Sequence, residues 1–87
     1  MKYKVTVEEM SGDNKLIFET ENQENILRIV EKLKQHPNVD KEDAAAFGVG
    51  LKLLSTIILK NKNTPLFKDF LPHFKDFMKT LKGSMTK

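Results

Sequence analysis

The sequence predicts an α+β fold: an N-terminal β-hairpin followed by three helices packed on one face. Three observations lead there. Apolar residues recur with period two over the first twenty positions, they switch to helical spacing after position 22, and Pro37 and Pro65 punctuate the helical region. At 87 residues the chain makes one domain, expected to span 1–87, small enough that a single core is marginal and burial against a second chain would add noticeable stability.

The hairpin is placed over residues 2–20. Tyr3, Val5 and Val7 alternate with Lys2, Lys4, Thr6 and Glu8, and Lys15 to Thr20 alternate again after the turn-rich Ser11-Gly12-Asp13-Asn14. Tyr3, Val5, Val7, Leu16 and Phe18 form the expected inward set, with Gly12 or Asn14 supplying the positive φ of a tight connection. A lone hairpin is barely stable, so the helices are expected to cover one face, leaving its outer edges open to another strand.

The first helix is placed over about 22–36, with Ile26, Ile29, Val30 and Leu33 on one face and Pro37 ending the run. The second, about 40–61, begins at an acidic cluster of Asp40, Glu42 and Asp43, which suits the positive end of a helix dipole. It carries two apolar stripes, one of Phe47, Leu51, Leu54 and Ile58 and the other of Ala46, Val49, Leu53 and Ile57, so it is expected to be packed from two sides. Val49, Leu53 and Ile57 are therefore the candidate partner or dimer surface.

The third helix, about 65–82, starts at Thr64-Pro65, an N-cap followed by proline in the first turn, and Gly83 is placed just past its end. It contains the tetrapeptide FKDF twice, at 67–70 and 74–77. On a helical projection Phe67, Phe70, Leu71, Phe74, Phe77, Met78 and Leu81 share an arc of roughly 120°, which reads as an inward core face. Lys68, Lys75, Lys79 and Lys82 line one flank as a basic patch. Pro72 removes a backbone donor and crowds the carbonyl of Lys68, so the helix is expected to kink or to divide there.

Composition narrows the function classes. The chain carries no cysteine, which excludes disulfides and thiolate metal sites and fits a cytoplasmic setting. The N-terminus lacks a signal-peptide apolar block, and no run is long enough to cross a membrane. The net charge of +3 divides unevenly: residues 1–43 hold seven Lys/Arg against ten Asp/Glu, whereas residues 44–87 hold eight Lys against two Asp. Such asymmetry draws in an acidic partner or lets the two halves of one domain attract each other.

Catalytic constellations do not assemble. Gly48-Val49-Gly50 follows a helical AAAF rather than a strand, with Leu53 where a third glycine would stand, and reads as packing glycines rather than a phosphate cradle. His36 and His73 sit beside prolines without a metal-ligand spacing, and the serines have no base placed by sequence. No catalytic residue, cofactor or metal is expected.

The segments YKVTVEE, LIFETEN, AAAFGVGLKLL and TPLFKDFLPHFKDFMKTLK together resemble a small bacterial family, domain of unknown function 3861. The resemblance covers nearly the whole chain. Its most specific part is Gly50 to Leu53 followed by Pro65 to Phe67, Leu71 to Phe74 and Phe77 to Lys82 at fixed spacings. It implies a compact cytoplasmic α+β domain and carries over no activity.

The expectation is a non-enzymatic interaction module that self-associates as a homodimer, with a further protein partner as a variant of the same idea. The alternative is a weak nucleic-acid-binding protein using Lys60, Lys62, Lys68, Lys75, Lys79 and Lys82. Phenylalanines buried on one face with lysines on its flank make a poor stacking platform, and Arg28 is the single arginine, which counts against that alternative.

Overall fold

The structure, a computed structural model, describes residues 1–85, so the last two positions of the expected 1–87 range lie outside the described residues. Strands β1 (Lys2–Glu8) and β2 (Lys15–Glu21) pair antiparallel and are followed by helices α1 (Ile26–Leu33), α2 (Ala44–Lys60), α3 (Pro65–Lys68) and α4 (Leu71–Met85). The α+β class predicted from periodicity is the class observed.

Period-two patterning sets the register of the hairpin. Tyr3 lies opposite Thr20, Val5 opposite Phe18 and Val7 opposite Leu16 on one face. Lys2 lies opposite Glu21, Lys4 opposite Glu19 and Glu8 opposite Lys15 on the other, three cross-strand pairs of opposite charge. The connection differs from expectation. Glu9 N–H donates to the carbonyl of Asn14 at 3.1 Å, and among the described residues no position has a positive φ. The longer loop over Met10 to Asp13 turns the chain without left-handed geometry.

The hairpin also departs from its expected burial. Tyr3, Val5 and Thr20 are half-buried near its base, but Val7 and Leu16 are each 58% exposed and Phe18 is 37% exposed. The helices meet the hairpin at its base and leave the outer half of the apolar face uncovered.

Helix α1 starts at Ile26, later than position 22, because Asn25 is its N-cap: the extended Asn25 accepts the Arg28 N–H through its side chain at 3.2 Å. Beyond Leu33 the chain tightens into i→i+3 bonds, Gln35 N–H to Lys32 O and His36 N–H to Leu33 O. Likewise Asp40 to Asp43 form a turn, Asp43 N–H to Asp40 O at 2.9 Å, so α2 begins at Ala44 rather than at 40.

Core packing centres on α1 against α2. Leu33, Ala44 and Ile58 are fully buried, joined by Val30, Leu51, Phe74 and Leu81. Full burial of a side chain such as Leu33 or Ile58 contributes about 1.5–3 kcal/mol. A Cβ on Gly48 would stand 2.9 Å from Val30 Cγ2 and 3.1 Å from Leu33 Cδ1, whereas one on Gly50 would meet nothing within 4 Å. Gly48 is thus the packing glycine that lets α1 and α2 approach, and Gly50 faces open space.

The expected helix over 65–82 divides. Thr64 is extended and Pro65 occupies the first turn of α3, as its sequence suggests, although the Thr64 hydroxyl donates to Asn61 O at 2.7 Å instead of capping. The chain then turns at Asp69-Phe70, and the new helix opens with Phe74 N–H donating to Phe70 O. Pro72 therefore falls in the first turn of α4, where its missing N–H costs no intrahelical bond. Gly83 lies inside α4, which continues to Met85, and does not terminate it.

The division changes the phenylalanine face. Phe74 is buried and Phe67 packs against the core, but Phe70 is 44% and Phe77 47% exposed. The first phenylalanine of each FKDF points inward and the second sits at the rim, so the four are not one buried stripe. Among the described residues no helix is long and apolar enough to cross a membrane.

Candidate interaction surface

A buried polar hub joins the hairpin to the helices. Asn22, directly after β2, is buried; its side-chain amide donates to Thr56 Oγ1 at 3.0 Å and to the carbonyl of Lys52 at 3.3 Å, and its oxygen accepts the Glu24 N–H at 2.9 Å. Lys52, buried along its stem, carries its ammonium to Glu24 Oε1 at 2.7 Å. That hydrogen bond, with the attraction of the Lys52 charge, outweighs desolvation and holds the Glu24 carboxyl below the ordinary carboxylate value. Tyr3 adds a further tie, its hydroxyl accepting the Ile26 N–H at 3.0 Å. These contacts orient the hairpin relative to α1 and α2. In the sequence the one available signal was a lysine interrupting an apolar helix.

From this base the hairpin projects an apolar face. Val5, Val7, Leu16 and Phe18 lie side by side on adjacent strands, and the residues nearest the tip are the most exposed. A second apolar surface lies on α2. Of the three residues expected there, Ile57 is 46% exposed, Leu53 is half-buried and Val49 is half-buried against the core. Gly50 and Ala46 are exposed on the same side of the helix. On the neighbouring flank Leu54, Phe70 and Phe77 open an apolar groove of about 300 Å³ with Leu51, His73 and Phe74.

The lysine row is exposed throughout. Lys75, Lys79 and Lys82 rim a groove of about 280 Å³ whose walls include Leu59, Leu71 and Met78. Lys68 is on α3 and does not line that groove.

A concavity of about 570 Å³ lies where the end of α1 meets α4; His36, Asp40, Asp43, Thr80 and Ser84 are among its walls. Here His36 Nε2 and Ser84 Oγ are 2.9 Å apart. The Asn38 N–H donates to His36 Nδ1 at 3.0 Å, so a neutral ring carries its proton on Nε2 and donates it to Ser84, whose hydroxyl in turn reaches the carbonyls of Leu81 and Thr80. This is the reverse of the polarity by which a histidine activates a serine nucleophile. The pair ties the end of α1 to α4. Among the described residues no group of three His, Asp or Glu is disposed to hold a metal ion.

With this geometry in place, comparison with known proteins gives two findings. The model of DUF3861, a domain of unknown function with a solved structure, matches residues 1–83. The crystal structure of a protein of unknown function from Pectobacterium atrosepticum superposes with a TM-score of 0.89 at 33% sequence identity, over 95% of this chain and 97% of that one. No curated protein matches the sequence.

Proposed function

The chain belongs to the DUF3861 family, and from its geometry we propose that it is a non-enzymatic protein-interaction module that works as a homodimer. The observation that carries this reading is its surface. A compact monomer of 10.0 kDa exposes roughly 5,200 Å², whereas this chain exposes 7086 Å². The excess, about 1,900 Å², is more than the roughly 800 Å² that each partner contributes to a standard protein interface. Much of the exposed apolar area is concentrated on the hairpin and on the outer side of α2, the two places where the fold leaves an element unpartnered.

Sedimentation velocity across a dilution series tests it. The expected result is a dimer at high micromolar concentration that dissociates on dilution. A clean monomer at high micromolar concentration overturns the reading.

The grouping of Lys75, Lys79 and Lys82 around one groove favours a second reading, weak nucleic-acid binding through the C-terminal lysines. It requires salt-dependent binding to generic DNA or RNA. No binding at low salt removes it.

A further inference from the structure

The hydrogen-bond parity of the hairpin carries the dimer reading to a specific interface. We propose that β1 pairs antiparallel with β1 of a second copy, about a two-fold axis at Val5, to give a four-stranded sheet in the order β2-β1-β1-β2. This rests on the homodimer reading and adds its contact surface and register.

Strand parity decides which backbone groups of β1 are free. Met1 and Asn22 exchange both of their backbone hydrogen bonds, at 2.9 and 3.0 Å, and Glu9 N–H donates to Asn14 O. In an antiparallel ladder hydrogen-bonded and non-hydrogen-bonded pairs alternate. With the observed register, the odd residues of β1 spend their N–H and C=O groups on β2. Lys2, Lys4, Thr6 and Glu8 therefore direct theirs away from β2, along an edge without proline or bulge.

A second β1 can use that edge over its full seven residues in one antiparallel register. Lys2 then faces Glu8 of the partner subunit, Lys4 faces Thr6 of the partner subunit, and Val5 faces Val5 of the partner subunit. The side chains agree with this pairing on both faces. On the charged face one row reads Glu21, Lys2, Glu8 of the partner subunit, Lys15 of the partner subunit, so the sign alternates across all four strands. On the apolar face the central row reads Phe18, Val5, Val5 of the partner subunit, Phe18 of the partner subunit. Each row is completed by its symmetry mate, as an isologous interface requires.

The same register answers why the outer half of the hairpin is bare. Antiparallel pairing sets the tip of one hairpin, with Val7 and Leu16, beside the base of the other, the end at which Tyr3 and Thr20 turn toward the helices. The half that the chain leaves uncovered on itself is thereby brought to the helical layer of the second copy. Pairing through β2 would instead set Ile17 opposite Glu19 of the partner subunit, an apolar side chain against a carboxylate, and β1 is the better matched edge.

Because the chain has no cysteine, single-cysteine variants report the register directly. Val5 would form a non-hydrogen-bonded pair with its own copy, with Cα atoms about 4.5 Å apart, within disulfide range. Val5→Cys is expected to cross-link nearly completely on mild oxidation, whereas Phe18→Cys and Thr6→Cys remain uncross-linked. Lys4→Pro removes an edge N–H and no bond to β2, and is expected to weaken the dimer about 10- to 100-fold through two lost hydrogen bonds, with the circular dichroism spectrum retained. A wild-type dimer in which Phe18→Cys cross-links in place of Val5→Cys, or in which neither does, overturns this interface and leaves the homodimer reading standing. A wild-type monomer overturns both.

Discussion

At the residue scale, the Asn22, Glu24 and Lys52 hub decides how the hairpin is held. An almost fully buried lysine needs a partner, because burial disfavours an unpaired charge. Glu24 provides it at 2.7 Å from a half-exposed position. Lys52 holds the Glu24 carboxyl below its ordinary value, so the folded state binds fewer protons there than the unfolded chain. The resulting stabilisation is fully present above the ordinary carboxylate value of about 4.3 and is lost as pH falls through the lower, folded value. Solvent at Glu24 screens the pair and limits its worth to below about 1 kcal/mol. Glu24→Gln is expected to lower urea stability by that amount near pH 7, and the difference from wild type should close in acid, once the pH has fallen through the lowered, folded-state value of Glu24. An equal difference at both pH values contradicts this account.

At the element scale, the two glycines of α2 separate packing from propensity. Gly48→Ala forces a methyl against Val30 and Leu33 of α1, an overpacking cost of about 1–3 kcal/mol that exceeds the helix-propensity gain of about 1 kcal/mol. Gly50→Ala meets no neighbour and should gain up to about 1 kcal/mol. Urea midpoints of the two variants are expected to move in opposite directions. Periodicity had marked both glycines for packing; which one touches α1 depends on the angle at which the helices cross. The two FKDF copies make a related point. Their seven-residue spacing correctly pairs Phe67 with Phe74 and Phe70 with Phe77, but the chain turn before Leu71 leaves the second pair, Phe70 and Phe77, at the rim.

At the scale of the whole molecule, the radius of gyration is 14.5 Å, against about 12 Å for a compact domain of this length. The hairpin, bare over its outer half, contributes to this extended shape, and the dimer proposed above would cover its apolar face. Native-state association raises apparent stability by mass action. The thermal midpoint should therefore climb by about 5–10 °C over a 100-fold increase in protein concentration, as scanned by circular dichroism. A midpoint independent of concentration contradicts self-association.

Residue order alone determined the class of each element, the alternation of the two hairpin strands, the α1 face of Ile26, Ile29, Val30 and Leu33, the proline-led start of α3 and the membership of the family, because these follow from local periodicity, capping chemistry and spacing. Tertiary structure decided which apolar faces are covered. Val7 and Leu16 read as inward from their alternation, and Phe70 and Phe77 from their helical phase, yet all four are exposed. Periodicity states that a face is apolar; it does not state what packs on it. That depends on where the Asn22 hub sets the hairpin and where the chain breaks before Pro72, and these two features leave the β1 edge and the outer side of α2 open.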